Sequence, residues 1–276
     1  MRKIHSIKFL VVAIVMFAFG LVVLPACEKE SKKPDQKEEQ RPDPKPDPKP
    51  DPKPDPDPDP DPDPDPDPDP DKPALSVTIS GEISHSVYTS GQTGTITFNR
   101  FPATVAEFKQ VRDQIGEEPH GAVALQLMAY EMYRRNKTIG NECIKLNNAT
   151  NNVKLATDRL DQLFGKDVNY ARPYQIAAFL KDATPQNGYN PSKPYTVEIR
   201  VSVVNQYQYS NNYQADVIYL DVLTQGKDKG KEQVEVIKTH KPGEPSAGKY
   251  FMVTNSPGLY SQVKEVSFTN PFKGLD

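Results

Sequence analysis

EEPHGAVALQLMAYEMYRRNKTIGNECIKLNN, residues 117–148, is the stretch that decides the fold. Apolar residues surround most of its first helical segment, a pattern typical of a helix buried among other elements. They are Ala122, Val123, Ala124, Leu125, Leu127, Met128, Ala129, Met132 and Tyr133. The helix start is indicated by Glu117, Glu118 and Pro119, because acidic side chains are favoured near the positive end of a helix and proline in its first turn. The helix end is indicated by Arg134 and Arg135, because basic side chains are favoured near the negative end. The stretch therefore predicts the central helix of a packed domain.

The ionisable residues of this stretch also allow two chemical interpretations. A metal site at Glu117, Glu118 and His120 is disfavoured because their spacing matches no familiar ligand set. Cys143 could act as a nucleophile only with one of the histidines that follow the signal segment. Those histidines are His85, His120 and His240.

A buried structural role suits Cys143 better than catalysis. It shares a short predicted helix with Ile139, Ile144 and Leu146, where a small buried hydrophobe is the commoner role. Motifs of serine hydrolases, zinc proteases, phosphate-binding loops and Cys-x-x-Cys pairs do not occur in the sequence. We therefore predict no catalytic, metal or cofactor-binding residue and no cofactor.

The neighbouring segments predict about five helices in all. Thr104 and Glu107 form a capping-box pattern ahead of an amphipathic helix that Gly116 ends. After the central helix, the pattern predicts three more. They span about residues 138–147, 152–164 and 173–181.

Strand patterns flank the helices on both sides. Two short alternating segments, residues 75–83 and 93–98, come before them. The turn-rich TPQNGYNPSKP, residues 184–194, then ends the helical part, and further strands follow. These cover residues 195–204, 215–223, 232–239, 249–255 and 262–268. Segregated helices and strands predict an α+β fold, with a short β segment before the helices and an antiparallel sheet after them.

The N-terminus has the order of a secretory signal, here assigned to residues 1–26. Basic residues at the start precede sixteen uncharged residues, 9–24, and LPAC follows at residues 24–27. LPAC resembles the lipobox of bacterial lipoproteins, and this resemblance implies a lipid on Cys27. An uncleaved membrane helix is the alternative, although the apolar run is slightly short for one.

A charged segment and a proline-rich linker separate Cys27 from the predicted domain. Residues 27–40 begin CEKESKK, which resembles the segment that routes some Bacteroidetes-type lipoproteins to the outer face of the outer membrane. In residues 41–72 proline recurs at every second position and excludes both helix and sheet. As an extended stalk, residues 42–72 would reach about 95 Å at roughly 3.1 Å per residue. A passive disordered spacer is the alternative.

The net negative charge of the chain lies in the region between Cys27 and the predicted domain. Residues 28–72 hold 17 acidic and 9 basic side chains, whereas residues 73–276 hold 20 acidic and 22 basic ones. The predicted single globular domain, residues 73–276, is therefore nearly neutral, with a net charge of +2. A neutral domain lacks the basic surface that nucleic acid requires, so we predict no nucleic-acid partner.

Several segments of the domain resemble a family of secreted bacterial domains of uncharacterised function. The resemblance covers about residues 100–266 and lies in FPATVAEFKQ, GAVALQLMAYEMYRRN, ARPYQIAAFLKDATPQNGYNPSKPYTVEIRV and GLYSQVKE. It implies a single domain and carries over no catalytic residue.

A tyrosine- and amide-rich segment is the best candidate for a binding surface. VVNQYQYSNNYQADVIYLD, residues 203–221, offers flat apolar rings together with hydrogen-bonding groups, which suit sugars or protein surfaces. The predicted ligand contacts are Tyr207, Tyr209, Asn211, Asn212 and Tyr213. An ordinary strand pair is the alternative, and the lack of tryptophan weakens a carbohydrate platform.

Together these features predict a lipid-anchored protein of the cell envelope, in the outer membrane and displayed at the cell surface. Its partners would be the membrane, through Cys27, and a glycan or protein ligand. We expect a non-catalytic binding or scaffold module. The alternative is a cell-envelope hydrolase with an unrecognised active site.

Overall fold

The computed structural model describes residues 73–238 and 248–267. Four α-helices form one group: α1 Val105–Ile115, α2 Pro119–Arg135, α3 Lys137–Asn147 and α4 Lys154–Leu163. Seven strands form one sheet: β1 Val77–Gly81, β2 Thr93–Phe98, β3 Tyr195–Val201, β4 Gln208–Ser210, β5 Ala215–Leu223, β6 Lys231–Lys238 and β7 Phe251–Asn255. The predicted mixed α+β class, with a short β segment before the helices, is confirmed.

The sheet is antiparallel throughout. Its strand order is β1-β2-β3-β5-β6-β7, and β4 pairs with β5 beside β3. Alternate residues of β2 and β3 are buried, so one face of the sheet lies against the helices. Ile96, Val197 and Ile199 belong to the main core on this face.

Helix α2 lies at the centre of the domain, as its all-round apolar pattern predicts. Its residues from Pro119 to Tyr133 are all buried, and it contacts α1, α3, α4 and five strands of the sheet. Gly140 allows α3 to approach it closely, because a Cβ at Gly140 would overlap the backbone of Tyr133. The apolar residues of α2 are therefore packing residues of the core.

Helix α1 begins as its capping pattern predicts. The Thr104 hydroxyl accepts a hydrogen bond from the Glu107 amide at 3.1 Å. The Glu107 carboxylate accepts one from the Ala103 amide at 2.6 Å and pairs with Arg100. Glu107 therefore stabilises both the first turn of α1 and the segment that connects β2 to it.

The predicted fifth helix, residues 173–181, is wrong. In its place the described chain makes turns and a single 3-10 turn, Ala177–Phe179. The Ala178 carbonyl accepts a hydrogen bond from the Thr224 hydroxyl at 2.5 Å, and the Lys181 amide donates to the Thr196 carbonyl at 2.8 Å. The apolar residues here reflect burial against the sheet rather than helical periodicity.

The last predicted strand, residues 262–268, is also wrong over its described part, residues 262–267. This segment is irregular, because a buried side chain and loop carbonyls bond its backbone in place of a neighbouring strand. The Val263 amide donates to Gln175 Oε1 at 3.2 Å, and the Lys264 amide donates to the Gly226 carbonyl at 2.9 Å. Residue 268 lies outside the described residues.

Strands β3 and β4 lie along the same edge of β5 and are separated by an excursion, residues 203–207. Val201 is paired with Leu220 and Gln208 with Val217, so the partner strand continues while the chain between them leaves the sheet. The predicted strand 195–204 therefore ends three residues early. The excursion carries two exposed apolar side chains, Val203 and Val204.

Candidate functional site

A groove lies between α4 and the segment 257–262. Its volume is about 430 Å³, within the usual range for small-molecule sites. Helix α4 contributes Leu155, Arg159, Gln162 and Leu163, whose spacing places them on one face. The other lining residues are Tyr170, Pro257, Tyr260, Ser261 and Gln262.

Gln175 fixes the wall opposite α4. Its buried amide donates to the carbonyls of Leu259 at 2.9 Å and Ser261 at 2.7 Å. Its Oε1 accepts the hydrogen bond from the Val263 amide. Gln175 thus bonds three backbone groups of the chain that ends the 3-10 helix Pro257–Tyr260 and continues beyond it.

Lys227 supports the same wall from its other side. Its Nζ donates to the Ser261 carbonyl at 2.8 Å, the Ser261 hydroxyl at 2.7 Å and the Gln262 carbonyl at 2.8 Å. Burial lowers the pKa of Lys227, and the Glu232 carboxylate, 3.6 Å away, opposes that shift. The ammonium is thus a structural donor that holds two carbonyls in place.

Arg172 joins the two walls. Its amide donates to the Leu163 carbonyl, at the end of α4, at 2.6 Å. Its buried guanidinium donates to the Val263 carbonyl at 3.2 Å and to Glu265 at 2.9 Å. Since both walls are anchored by buried donors, the groove is formed before any ligand arrives.

The groove combines apolar surface with a few polar groups. Its exposed apolar surface includes two large side chains, Leu155, which is 66% exposed, and Tyr170, which is 52% exposed. Tyr260 is half-buried beside the Tyr130 ring, and burial raises its pKa while the Arg159 charge lowers it. Its hydroxyl therefore stays protonated near neutral pH and can donate a hydrogen bond.

Arg159 is the one charged side chain among the described residues that line the groove. Its Nη1 donates to Gln162 Oε1 at 2.8 Å, which orients the guanidinium. The two aspartates of α4 are engaged elsewhere, Asp158 by Lys154 at 2.7 Å and Asp161 by Lys137 at 2.8 Å. The groove thus presents a positive charge with aromatic and amide groups around it.

The structure divides the predicted tyrosine face into buried and exposed residues. Tyr207 is half-buried, with its hydroxyl donating to the Ser84 carbonyl at 2.8 Å and its ring against Tyr88. Tyr213 packs against a small apolar cluster that includes Val217. By contrast, Tyr209 is 59% exposed, as an aromatic binding contact would be.

The two asparagines of this predicted face are exposed in the turn between β4 and β5. Asn211 and Asn212 precede Gln214, whose positive φ of 55° reverses the chain. The Gln214 side chain donates to the Asn211 carbonyl at 2.5 Å and accepts from the Tyr209 hydroxyl at 3.1 Å. The face therefore presents Tyr209, Asn211 and Asn212, and its ligand-binding role stays a prediction.

Cys143 is buried and forms no disulfide in the described part of the chain. Burial raises the pKa of its thiol to about 12, with the Glu142 charge adding to the shift. The thiolate that a nucleophile requires is therefore disfavoured. The predicted burial of Cys143 is confirmed.

The acidic start of α2 is built as a helix terminus. Pro119 occupies the first turn, and Glu118 pairs with His85 at 2.9 Å. Glu117 lies 3.7 Å from Lys249, and the buried His120 ring lies against Gly94. Within residues 73–238 and 248–267, no group of three histidine, cysteine, aspartate or glutamate residues is arranged to hold a metal ion.

One family model spans most of the described domain. It carries the description "domain of unknown function (DUF6935)" and matches residues 100–267. The chain belongs to this family. The DUF6935 match includes the four helices, β3 to β7 and every residue of the groove, whereas β1, β2 and Cys27 lie before it.

A second family model adds a similarity that carries no functional argument. The chain resembles the Neisseria meningitidis TspB protein over residues 17–137, a range that includes the proline–aspartate repeat. Such repeats are alike in composition across unrelated proteins. Searches of curated proteins and of solved structures gave no match.

The groove was not predicted from the sequence, because its two walls are about 100 residues apart. A partial signal exists in α4, where Leu155, Arg159 and Gln162 share a face beside the buried Leu163. A second partial signal is Tyr170, an exposed aromatic residue in the polar segment that follows α4. Neither reveals the segment that lies opposite.

Proposed function

We propose that this protein is a lipid-anchored binding module of the cell envelope that holds its ligand without converting it. The preformed groove between α4 and segment 257–262 is the observation that carries the proposal. Its lining holds one cation, aromatic rings and neutral amides or hydroxyls. Such groups recognise and orient a ligand, whereas acid–base chemistry needs ionisable groups in partnership.

The shifted ionisable groups of the domain support binding rather than catalysis. Cys143 and Tyr207 have raised pKa values because they are buried in packed positions. Lys227 has a lowered pKa, but its donors are directed at the groove-wall carbonyls. These perturbations follow from packing and from the construction of the wall.

The N-terminal region supports display of the domain away from a membrane. Cys27 and the linker 41–72 lie outside the described residues, so this part of the proposal rests on the lipobox and the proline repeat. No helix in the described ranges is long and apolar enough to span a membrane. A lipid on Cys27 would supply attachment, and an extended linker would supply reach to a ligand.

The location that best fits this arrangement is the outer membrane, with the domain at the cell surface. The charged segment after Cys27 supports that assignment through its resemblance to outer-face lipoproteins. Surface digestion of intact cells with protease tests it. Loss of the domain from intact cells supports surface display, whereas protection until the cells are lysed contradicts it.

A ligand screen with the full-length protein in mild detergent tests the function. The panel contains glycans, peptidoglycan fragments and envelope proteins, and each ligand is analysed by mass spectrometry after incubation. Leu155→Glu places a charge in the groove at a side chain that is 66% exposed, so it should weaken binding at least tenfold without unfolding the domain. Val87→Glu, at a 64% exposed site outside the groove lining, is the matched control.

One result would contradict the proposed function, and another would contradict the assignment of the groove as its site. Chemical conversion of the ligand would instead support a cell-envelope hydrolase. Equal affinity of the wild type and Leu155→Glu would exclude the groove as the binding site. Loss of binding in Tyr209→Ala would then assign it to the predicted tyrosine face.

A further inference from the structure

We propose that the groove binds a carboxylate-bearing sugar unit, with Arg159 as the receptor for the carboxylate. This inference rests on the proposed binding function and names the class of ligand for the same groove. It follows from the charge of the groove, from the type of groups that line it, and from the state of the backbone in its wall.

The charge argument begins with Arg159. Its guanidinium carries five N–H donors, and its one hydrogen bond to a described residue goes to Gln162 Oε1. The aspartates nearest in sequence, Asp158 and Asp161, are paired with lysines. A planar guanidinium that pairs with no carboxylate of residues 73–238 or 248–267 matches an incoming carboxylate through two parallel hydrogen bonds.

The remaining lining groups match a sugar ring. Tyr170 and Tyr260 offer apolar ring surface, which suits the C–H face of a pyranose. The side chains of Gln162, Ser261 and Gln262 supply donors and acceptors from both walls, which suit hydroxyl groups. A volume of about 430 Å³ accommodates one or two such rings.

The backbone of the groove wall disfavours an extended peptide as the ligand. A bound peptide strand pairs with free main-chain groups along an edge. Here the carbonyls of Leu259 and Ser261 accept from Gln175, and those of Gln262 and Val263 accept from Lys227 and Arg172. With these carbonyls occupied, recognition falls to the side chains, as for a sugar.

Titration calorimetry on the full-length protein tests the inference with matched ligands. Trigalacturonate carries the carboxylates, its methyl ester keeps the shape without the charge, and tetraglutamate carries the charge on a peptide. We expect trigalacturonate to bind at least tenfold more tightly than the ester. We expect tetraglutamate to bind at least tenfold more weakly than trigalacturonate.

Variants of α4 show whether Arg159 is responsible. Arg159→Gln should lose at least tenfold in affinity for trigalacturonate and leave the ester unaffected. Arg159→Lys should recover part of the loss, because lysine keeps the charge without the planar fork. Lys166→Gln removes an exposed charge just after the same helix and outside the groove lining, and it should bind as the wild type does.

Three outcomes would overturn the inference. They are no binding of trigalacturonate, equal binding of acid and ester, and unchanged affinity in Arg159→Gln. Tetraglutamate as tight as trigalacturonate would overturn the sugar in favour of an acidic peptide. If the groove instead holds a neutral glycan, the proposed function stands and this inference fails. If bound trigalacturonate is cleaved, the ligand class stands and the proposed non-catalytic function fails.

Discussion

The imidazole of His120 occupies the space that a side chain on Gly94 would need. Gly94 lies in β2 and His120 in the first turn of α2, so this contact sets how closely the central helix approaches the sheet. Both residues are buried. A Cβ at Gly94 would overlap the ring, whose Nε2 would be 2.9 Å away.

Gly94→Ala is therefore expected to destabilise the domain. Overpacking of a buried contact costs typically about 1–3 kcal/mol in the free energy of unfolding, because a packed ring cannot move aside freely. Urea unfolding followed by circular dichroism measures this. If the His120 contact is the cause, the cost of Gly94→Ala should shrink in a His120→Ala background. An equal cost in both backgrounds would assign the effect to the β2 backbone instead.

A second prediction concerns the pH dependence of stability. Burial lowers the pKa of His120 in the folded domain, while the nearby Glu118 charge raises it and His85 lowers it further. The unfolded chain then binds a proton more readily, so stability is complete above about pH 6.5 and falls as the pH drops toward the folded pKa. Urea midpoints between pH 8 and pH 5 measure the slope.

The matched variant for this pH effect is His120→Gln, which keeps a polar side chain but cannot titrate. Its stability should vary less with pH over the same range than that of the wild type. Parallel pH profiles for the two proteins would show that another group causes the dependence.

The third prediction is that Cys143 reacts slowly with thiol reagents in the native state. Its full burial and its raised pKa, about 12, both reduce the reactive thiolate. Labelling with Ellman's reagent should proceed over hours in buffer and within minutes in guanidinium chloride. Labelling within seconds in buffer would revive the nucleophile hypothesis.

Membrane attachment through Cys27 is the fourth prediction. Cys27→Ser should release the protein from the membrane fraction, because the lipobox thiol is the attachment point in this proposal. Cys143→Ser is the matched control and should stay with the membrane. Retention of both variants, with an uncleaved signal, would favour a membrane helix at residues 9–24.

The fifth prediction separates two tyrosines of the predicted binding face. Tyr207→Ala removes a half-buried ring packed on Tyr88 and a hydrogen bond to Ser84, so it should cost about 1–3 kcal/mol of stability. Tyr209→Ala removes an exposed ring and should change stability by less than about 0.5 kcal/mol. Thermal unfolding of both variants checks the pair. A larger loss in Tyr209→Ala would contradict the assignment of Tyr207 as the structural residue.

Local patterns in the sequence predict the elements whose signals are strong. The all-round apolar pattern of α2 and the Thr104 cap of α1 both correspond to the observed helices. The same reasoning fails at residues 173–181 and 262–267, where Thr224 donates to the Ala178 carbonyl and Gln175 accepts from the Val263 amide. Periodicity reports which residues are buried, but it does not show which partner takes each hydrogen bond.

The candidate groove could not be predicted for a related reason. Its walls come from α4 and segment 257–262; Arg172 joins them, and Gln175 and Lys227 hold the second wall in place. Each of these side chains looks like an ordinary surface residue in sequence. Their burial is a product of tertiary packing, and a single sequence carries no record of it.

Between β3 and β4, the number of residues that leave the sheet does not determine the register of its strands. Because Val201 and Gln208 pair with the same continuous strand, the register on either side is set by β5 and not by residues 203–207. Residues added between Val203 and Val204 would extend outward from two exposed positions and leave the ladder in place. We therefore expect an epitope tag or a fluorophore inserted in this excursion to leave the sheet intact.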